Sequence, residues 1–99
     1  MSGWEVSPDA AGDLESIIDY IAVEQRDPVA ARKLIDEFFS AFDVLAVAPN
    51  AGRVRPELTS VGVRWWVLHQ YLIAYEPGEP LRILRVLHGA RAIEELFRP

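Results

Sequence analysis

Apolar and polar residues follow different rhythms along this chain, and each rhythm marks an element. From Gly3 to Ser7, Trp4 and Val6 alternate with Glu5, the period of a short strand. Leu14, Ile17, Ile18 and Ile21 then recur at helical spacing. Ser7-Pro8 opens that helix, because serine caps and proline fits the first helical position, where no amide hydrogen is needed. Asp9 and Asp13 follow, near the positive end of the helix dipole, and the helix is expected to run to about Gln25. Asp27-Pro28 repeats the start signal. The second helix carries Ala31, Leu34, Ile35, Phe38, Phe42, Leu45 and Ala46 on its apolar side and ends before the breaker cluster Pro49-Asn50-Ala51-Gly52. The connection is so short that the two helices must fold back as an antiparallel hairpin.

Residues 50–62 read as a loop carrying Arg53 and Arg55. Val63 to Leu68 reads as a strand, with Val63, Trp65 and Val67 on one face and Arg64, Trp66 and Leu68 on the other. His69-Gln70 turns the chain into a strand over Tyr71–Glu76. A Pro77-Gly78-Glu79-Pro80 turn leads to a further strand, Leu81 to His88. That strand is apolar on both faces, which places it at the centre of a sheet. Strict alternation along it groups Arg82 and His88 with Leu84 and Val86, and Arg85 with Leu81, Ile83 and Leu87. Ala90, Ile93, Leu96 and Phe97 give a last short helix with one apolar side. The expected fold is α+β, in the order β-α-α-β-β-β-α, as one domain over residues 1–99. Its sheet is antiparallel, with one face covered by the helix hairpin, whose apolar stripe has nowhere else to go.

Charge changes this picture more than composition does. The formal charge is -5, which argues against a nucleic-acid binder on average. Residues 1–49 hold 3 basic and 10 acidic side chains, net -7, and residues 50–99 hold 7 basic and 5 acidic, net +2. An anionic partner should therefore meet the second half. The chain has no cysteine, so it offers neither disulfides nor thiolate chemistry. No apolar run approaches the roughly 20 residues of a membrane span, and the first residues lack the pattern of a signal peptide. A cytoplasmic protein without membrane contact is the expectation.

Familiar catalytic motifs are missing. Neither a P-loop nor a dinucleotide glycine fingerprint is present, and no serine sits in a nucleophile elbow. Two histidines and dispersed carboxylates suggest no metal site and no cofactor. What remains is a basic set, Arg64, Arg82, Arg85, His88 and Arg91, with Tyr71 and Tyr75 nearby. Arginine could stabilise charge developing on a phosphodiester while His88 or a tyrosine moves a proton. A structural role competes with that chemistry: Arg85 could pair with a helix carboxylate, and His88 could bond a backbone group at the strand end.

RVRPEL (53–58), YLIAYE (71–76) and LRILRVLHGAR (81–91) together resemble the ParE/RelE superfamily of bacterial toxins, nearer to ParE. SPDAAGDLESIIDYIA (7–22) is similar to the family's way of opening its helix hairpin. The resemblance covers nearly the whole chain, and its most specific part is Arg85 to Arg91. It implies a toxin of a type II toxin–antitoxin system, neutralised by a cognate antitoxin in a hetero-oligomer. ParE-type members are associated with DNA gyrase; RelE-type members are ribosome-dependent messenger-RNA nucleases. Under the nuclease alternative, Arg85 and Arg91 would bind phosphate and His88 would transfer the proton. This chain departs from that branch: it is net acidic, and after Arg91 it has no Tyr or His and one further basic residue, Arg98. The ParE-like branch, a binder without a reaction of its own, is therefore the first reading, and an inactive member that only binds its antitoxin is a further one. The expected binding surface comprises Arg53, Arg55, Arg64, Arg85, His88 and Arg91, with Trp65 and Trp66 as anchors for an antitoxin helix or strand.

Overall fold

The computed structural model describes residues 3–56 and 62–89. Its elements are β1 (Trp4–Val6), α1 (Pro8–Asp19), a π-helical turn (Tyr20–Glu24), α2 (Pro28–Val47), β2 (Arg53–Val54), β3 (Arg64–Leu68), β4 (Tyr71–Glu76) and β5 (Leu81–His88). Both helix starts follow from the sequence signals. The Ser7 hydroxyl accepts from the Ala10 amide at 3.1 Å, and the Asp27 carboxylate accepts from the Ala30 amide at 3.0 Å. The expected C-terminal helix over 90–97 lies outside the described residues.

The five strands are ordered β1-β5-β4-β3-β2. β3, β4 and β5 form the expected antiparallel meander. β1 adds in parallel to β5, with Trp4 opposite Leu81 and Val6 opposite Ile83, so the sheet is mixed rather than wholly antiparallel. The parallel pairing arises because the helix hairpin and three strands separate β1 from its neighbour in the chain, giving a long crossover in place of a tight turn. The stretch 50–62 is not all loop: Arg53 and Val54 pair antiparallel with Trp65 and Arg64.

Two expectations about β5 are corrected. The middle strand is β4, not β5, and five of its six residues are buried. β5 is flanked by β4 and β1 and alternates between buried and exposed positions at its start. Strict alternation also fails along β5. Ala74 pairs with Arg85 while the next residue, Tyr75, pairs with Ile83, so β5 carries one extra residue at this point. This bulge shifts the faces by one position. Val86 therefore joins Leu81 and Ile83 in the helix-side core instead of sharing a face with Arg82 and Leu84.

The main core lies between the sheet and the helices. Phe38, Phe42 and Leu45 of α2 and Leu14 of α1 pack with Tyr71, Ile73, Tyr75, Leu81, Ile83 and Val86. Phe38 and Phe42 are fully buried, each contributing on the order of 3 kcal/mol of apolar burial. A smaller cluster, Val63, Trp65, Leu72 and Ala74 with Leu84 and Leu87, occupies the opposite sheet face.

Candidate functional site

Among the described residues, Arg64 and Arg85 are held by different partners. Arg64 is committed to the backbone: its guanidinium donates to the Gly52 carbonyl at 2.8 Å and reaches the Asn50 carbonyl at 3.4 Å. It thereby holds the 49–52 loop against β3. Tyr75 locks the same loop from the core side, donating to the Pro49 carbonyl at 2.7 Å and accepting from the Gly52 amide at 2.8 Å. Burial pushes the Tyr75 phenol above its usual pKa, and the Gly52 hydrogen bond and Arg64 charge pull the other way. Gly52 is required here because a Cβ would collide with the Tyr75 ring.

Arg85 is held by Asp13 of α1. Its Nε donates to Asp13 Oδ2 at 2.8 Å and its terminal nitrogen to Oδ1 at 3.1 Å. The same carboxylate accepts the Val86 amide at 2.9 Å. Asp13 is thus less a helix-dipole residue than a substitute strand partner. β1 pairs with β5 only as far as Ile83, after which Ser7 takes over: its amide donates to Ile83 O and its hydroxyl to Leu84 O, both at 2.9 Å. Asp13 then satisfies Val86 one step further along that edge.

His88 sits opposite Tyr71 in the β4–β5 ladder, its ring edge-on to the tyrosine at 5.9 Å. Burial raises the Tyr71 phenol pKa. Arg53 is exposed on β2, Arg55 lies just beyond it, and Arg91 lies outside the described residues. The two tryptophans separate by face, as adjacent strand residues must. Trp65 is 3% exposed in the smaller cluster, and Trp66 packs against the main core.

The described residues also form concavities. One, of about 840 Å³, runs along the outer flank of α2 past Val29, Arg32, Lys33 and Val44 to Leu68. Another, of about 610 Å³, opens between the π turn and the end of the sheet, where Tyr20 and Gln25 face Gln70, Tyr71 and His88. Sequence periodicity did not point to this second groove, because the wide turn that shapes it breaks the helical period. Among the described residues, no group of three or more His, Asp or Glu is placed to hold a metal ion, and no helix is long and apolar enough to cross a membrane.

Residues 5–93 match the family described as ParE toxin of type II toxin-antitoxin system, parDE. The chain belongs to the ParE toxin family. A solved chain from the chromosomal ParDE TA system of P. aeruginosa is similar to it, with a TM-score of 0.69 and 26% identity over 89% of this chain and 96% of that chain. No curated protein sequence matches this one. The ParE assignment accords with the α+β order read from the sequence, and it places Asp13, Arg85 and His88 inside the matched region.

Proposed function

We propose that this ParE-family chain arrests growth by binding DNA gyrase and that a cognate antitoxin neutralises it. The observation that favours a binder over a nuclease is the commitment of Arg85. A phosphate-binding arginine must present its guanidinium to substrate, whereas Arg85 spends two of its donors on Asp13, which is anchored in turn by the Val86 amide. Arg64 is likewise taken up by loop carbonyls. Among the described residues His88 makes its ring contact with Tyr71, and Arg85 is turned to Asp13 instead of sharing a focus with His88, which disfavours phosphodiester cleavage by that pair. The net charge of -5 further disfavours a ribosome-bound nuclease, whose affinity would rest on phosphate contacts. The protein acts in the cytoplasm, where gyrase works, and takes the antitoxin into a hetero-oligomer.

Induction of the chain in growing cells, with and without its genomic neighbour, tests this proposal. Growth arrest with relaxed plasmid DNA, relieved when the neighbouring small reading frame is co-expressed, is the expected result. Arrest accompanied by cleaved messenger RNA and normally supercoiled plasmid would replace gyrase binding with the RelE-like alternative.

A further inference from the structure

The groove between the π turn and the sheet end has the composition of a built site. An α-helix would turn Gln25 about 140° away from Tyr20. The wider turn, closed by a 3.0 Å bond from the Gln25 amide to the Tyr20 carbonyl, brings the two onto one wall. Tyr20 is 57% exposed, and its side chain has no ring contact or hydrogen bond among the described residues. The facing wall is Tyr71 and His88, set edge to face, with Gln70 beside them. Aromatic faces with two side-chain amides suit a flat group that both stacks and donates hydrogen bonds.

The surrounding charge selects among such groups. Residues 8–25, which form the helical wall, carry Asp9, Glu15, Asp19 and Glu24, besides Asp13, which Arg85 neutralises, and no Lys or Arg. Among the described residues no lysine or arginine lines the groove. A nucleotide would bring its phosphate into this acidic field, whereas a guanidinium is drawn to it. Guanidinium also stacks on tyrosine and donates to amide oxygens in one plane, which a lysine ammonium cannot do.

We propose that this groove receives an arginine side chain from a basic segment of a protein partner, stacked against Tyr20 and hydrogen-bonded by Gln25 and Gln70. The proposal stands independently of the gyrase reading. One wall of the groove belongs to the acidic first half of the chain, and the other, Gln70, Tyr71 and His88, to the second half.

The test is a nitrogen-15 and aromatic carbon-13 NMR titration of the full chain with an acetylated, amidated Gly-Arg-Gly peptide, and with its citrulline and lysine counterparts. The expected result is saturable shifts confined to Tyr20, Gln25, Gln70, Tyr71 and His88, with the arginine peptide binding most tightly. Tyr20→Leu, on an exposed side chain, should weaken binding about fivefold or more while the rest of the spectrum reports an intact fold. Gln25→Ala should narrow the preference for arginine over lysine. Equal binding of the citrulline peptide would overturn the proposal, as would shifts spread along α1 without the groove residues. Tighter binding of adenosine in the groove would overturn it in favour of a nucleobase site.

Discussion

Asp13 and Arg85, seventy-two positions apart, are joined by two hydrogen bonds of 2.8 and 3.1 Å, and the same carboxylate caps the Val86 amide at 2.9 Å. One side chain therefore closes the open edge of β5, fixes α1 on the sheet and occupies Arg85, one of the two arginines considered for phosphate binding. The bulge between Leu84 and Arg85 makes this possible, because it returns Val86 to the helix-side face.

The two partners are not equivalent, and substitution should show it. Asp13→Ala leaves the Val86 amide without its acceptor beneath α1 and should cost about 2 kcal/mol or more. Arg85→Ala removes a half-exposed pair and leaves the Asp13–Val86 bond, so it should cost about 1 kcal/mol or less. Urea denaturation of both variants would measure the difference, and an equal loss would contradict the edge-capping role of Asp13.

The loop over Tyr75 offers a second comparison. Tyr75→Phe removes the partner of both the Gly52 amide and the Pro49 carbonyl and should destabilise by about 1–3 kcal/mol. Gly52→Ala forces a methyl group into the Tyr75 ring and should cost at least as much. Thermal melts of the two variants and of the double variant would show strong non-additivity, since one contact underlies both losses.

Alkaline pH should act through the same residue. Burial holds the Tyr75 and Tyr71 phenols above their ordinary pKa, so the folded chain retains these protons more tightly than the unfolded chain. Their contribution is therefore complete below about pH 10 and is lost as pH rises through the folded-state values. Denaturation midpoints measured from pH 8 upward should fall beyond that point, and Tyr75→Phe should flatten the fall. A midpoint that climbed in that range would reverse the sign of the linkage.

At the hairpin tip, His69 Nε2 lies 2.6 Å from Glu37 of α2, with the two side chains 51% and 34% exposed. Solvent screening should keep this pair to about 0.5 kcal/mol, so His69→Ala should leave the melting temperature within a few degrees. A large loss would mean that the contact fixes the β3–β4 turn, where His69 adopts a positive φ of 54°.

Much of the fold was legible because its signals are local. Ser7-Pro8 and Asp27-Pro28 mark helix starts through caps within three residues, and the breaker cluster at Pro49–Gly52 marks the end of α2. The strand pairings that required distant partners were not legible. Nothing near Trp4 announces a parallel ladder with Leu81, and no residue near Leu84 announces a bulge. That one-residue shift reassigned Val86; the pairing of Arg85 with a helix carboxylate was among the readings the sequence allowed, and only the identity of its partner, Asp13, was not legible. For Arg64 the sequence gives the charge but not the loop carbonyls that engage it. Alternation puts Trp65 and Trp66 on opposite faces without saying which face is covered; Trp65 is the buried one.

The most direct measurement is gyrase supercoiling in the presence of the purified chain, run beside a ribosome-programmed RNA cleavage assay on the same sample. The account predicts inhibited supercoiling with intact RNA, and RNA that stays intact with Arg85→Ala and His88→Ala as well. Codon-specific cleavage that disappears with either substitution, with gyrase unaffected, would contradict it.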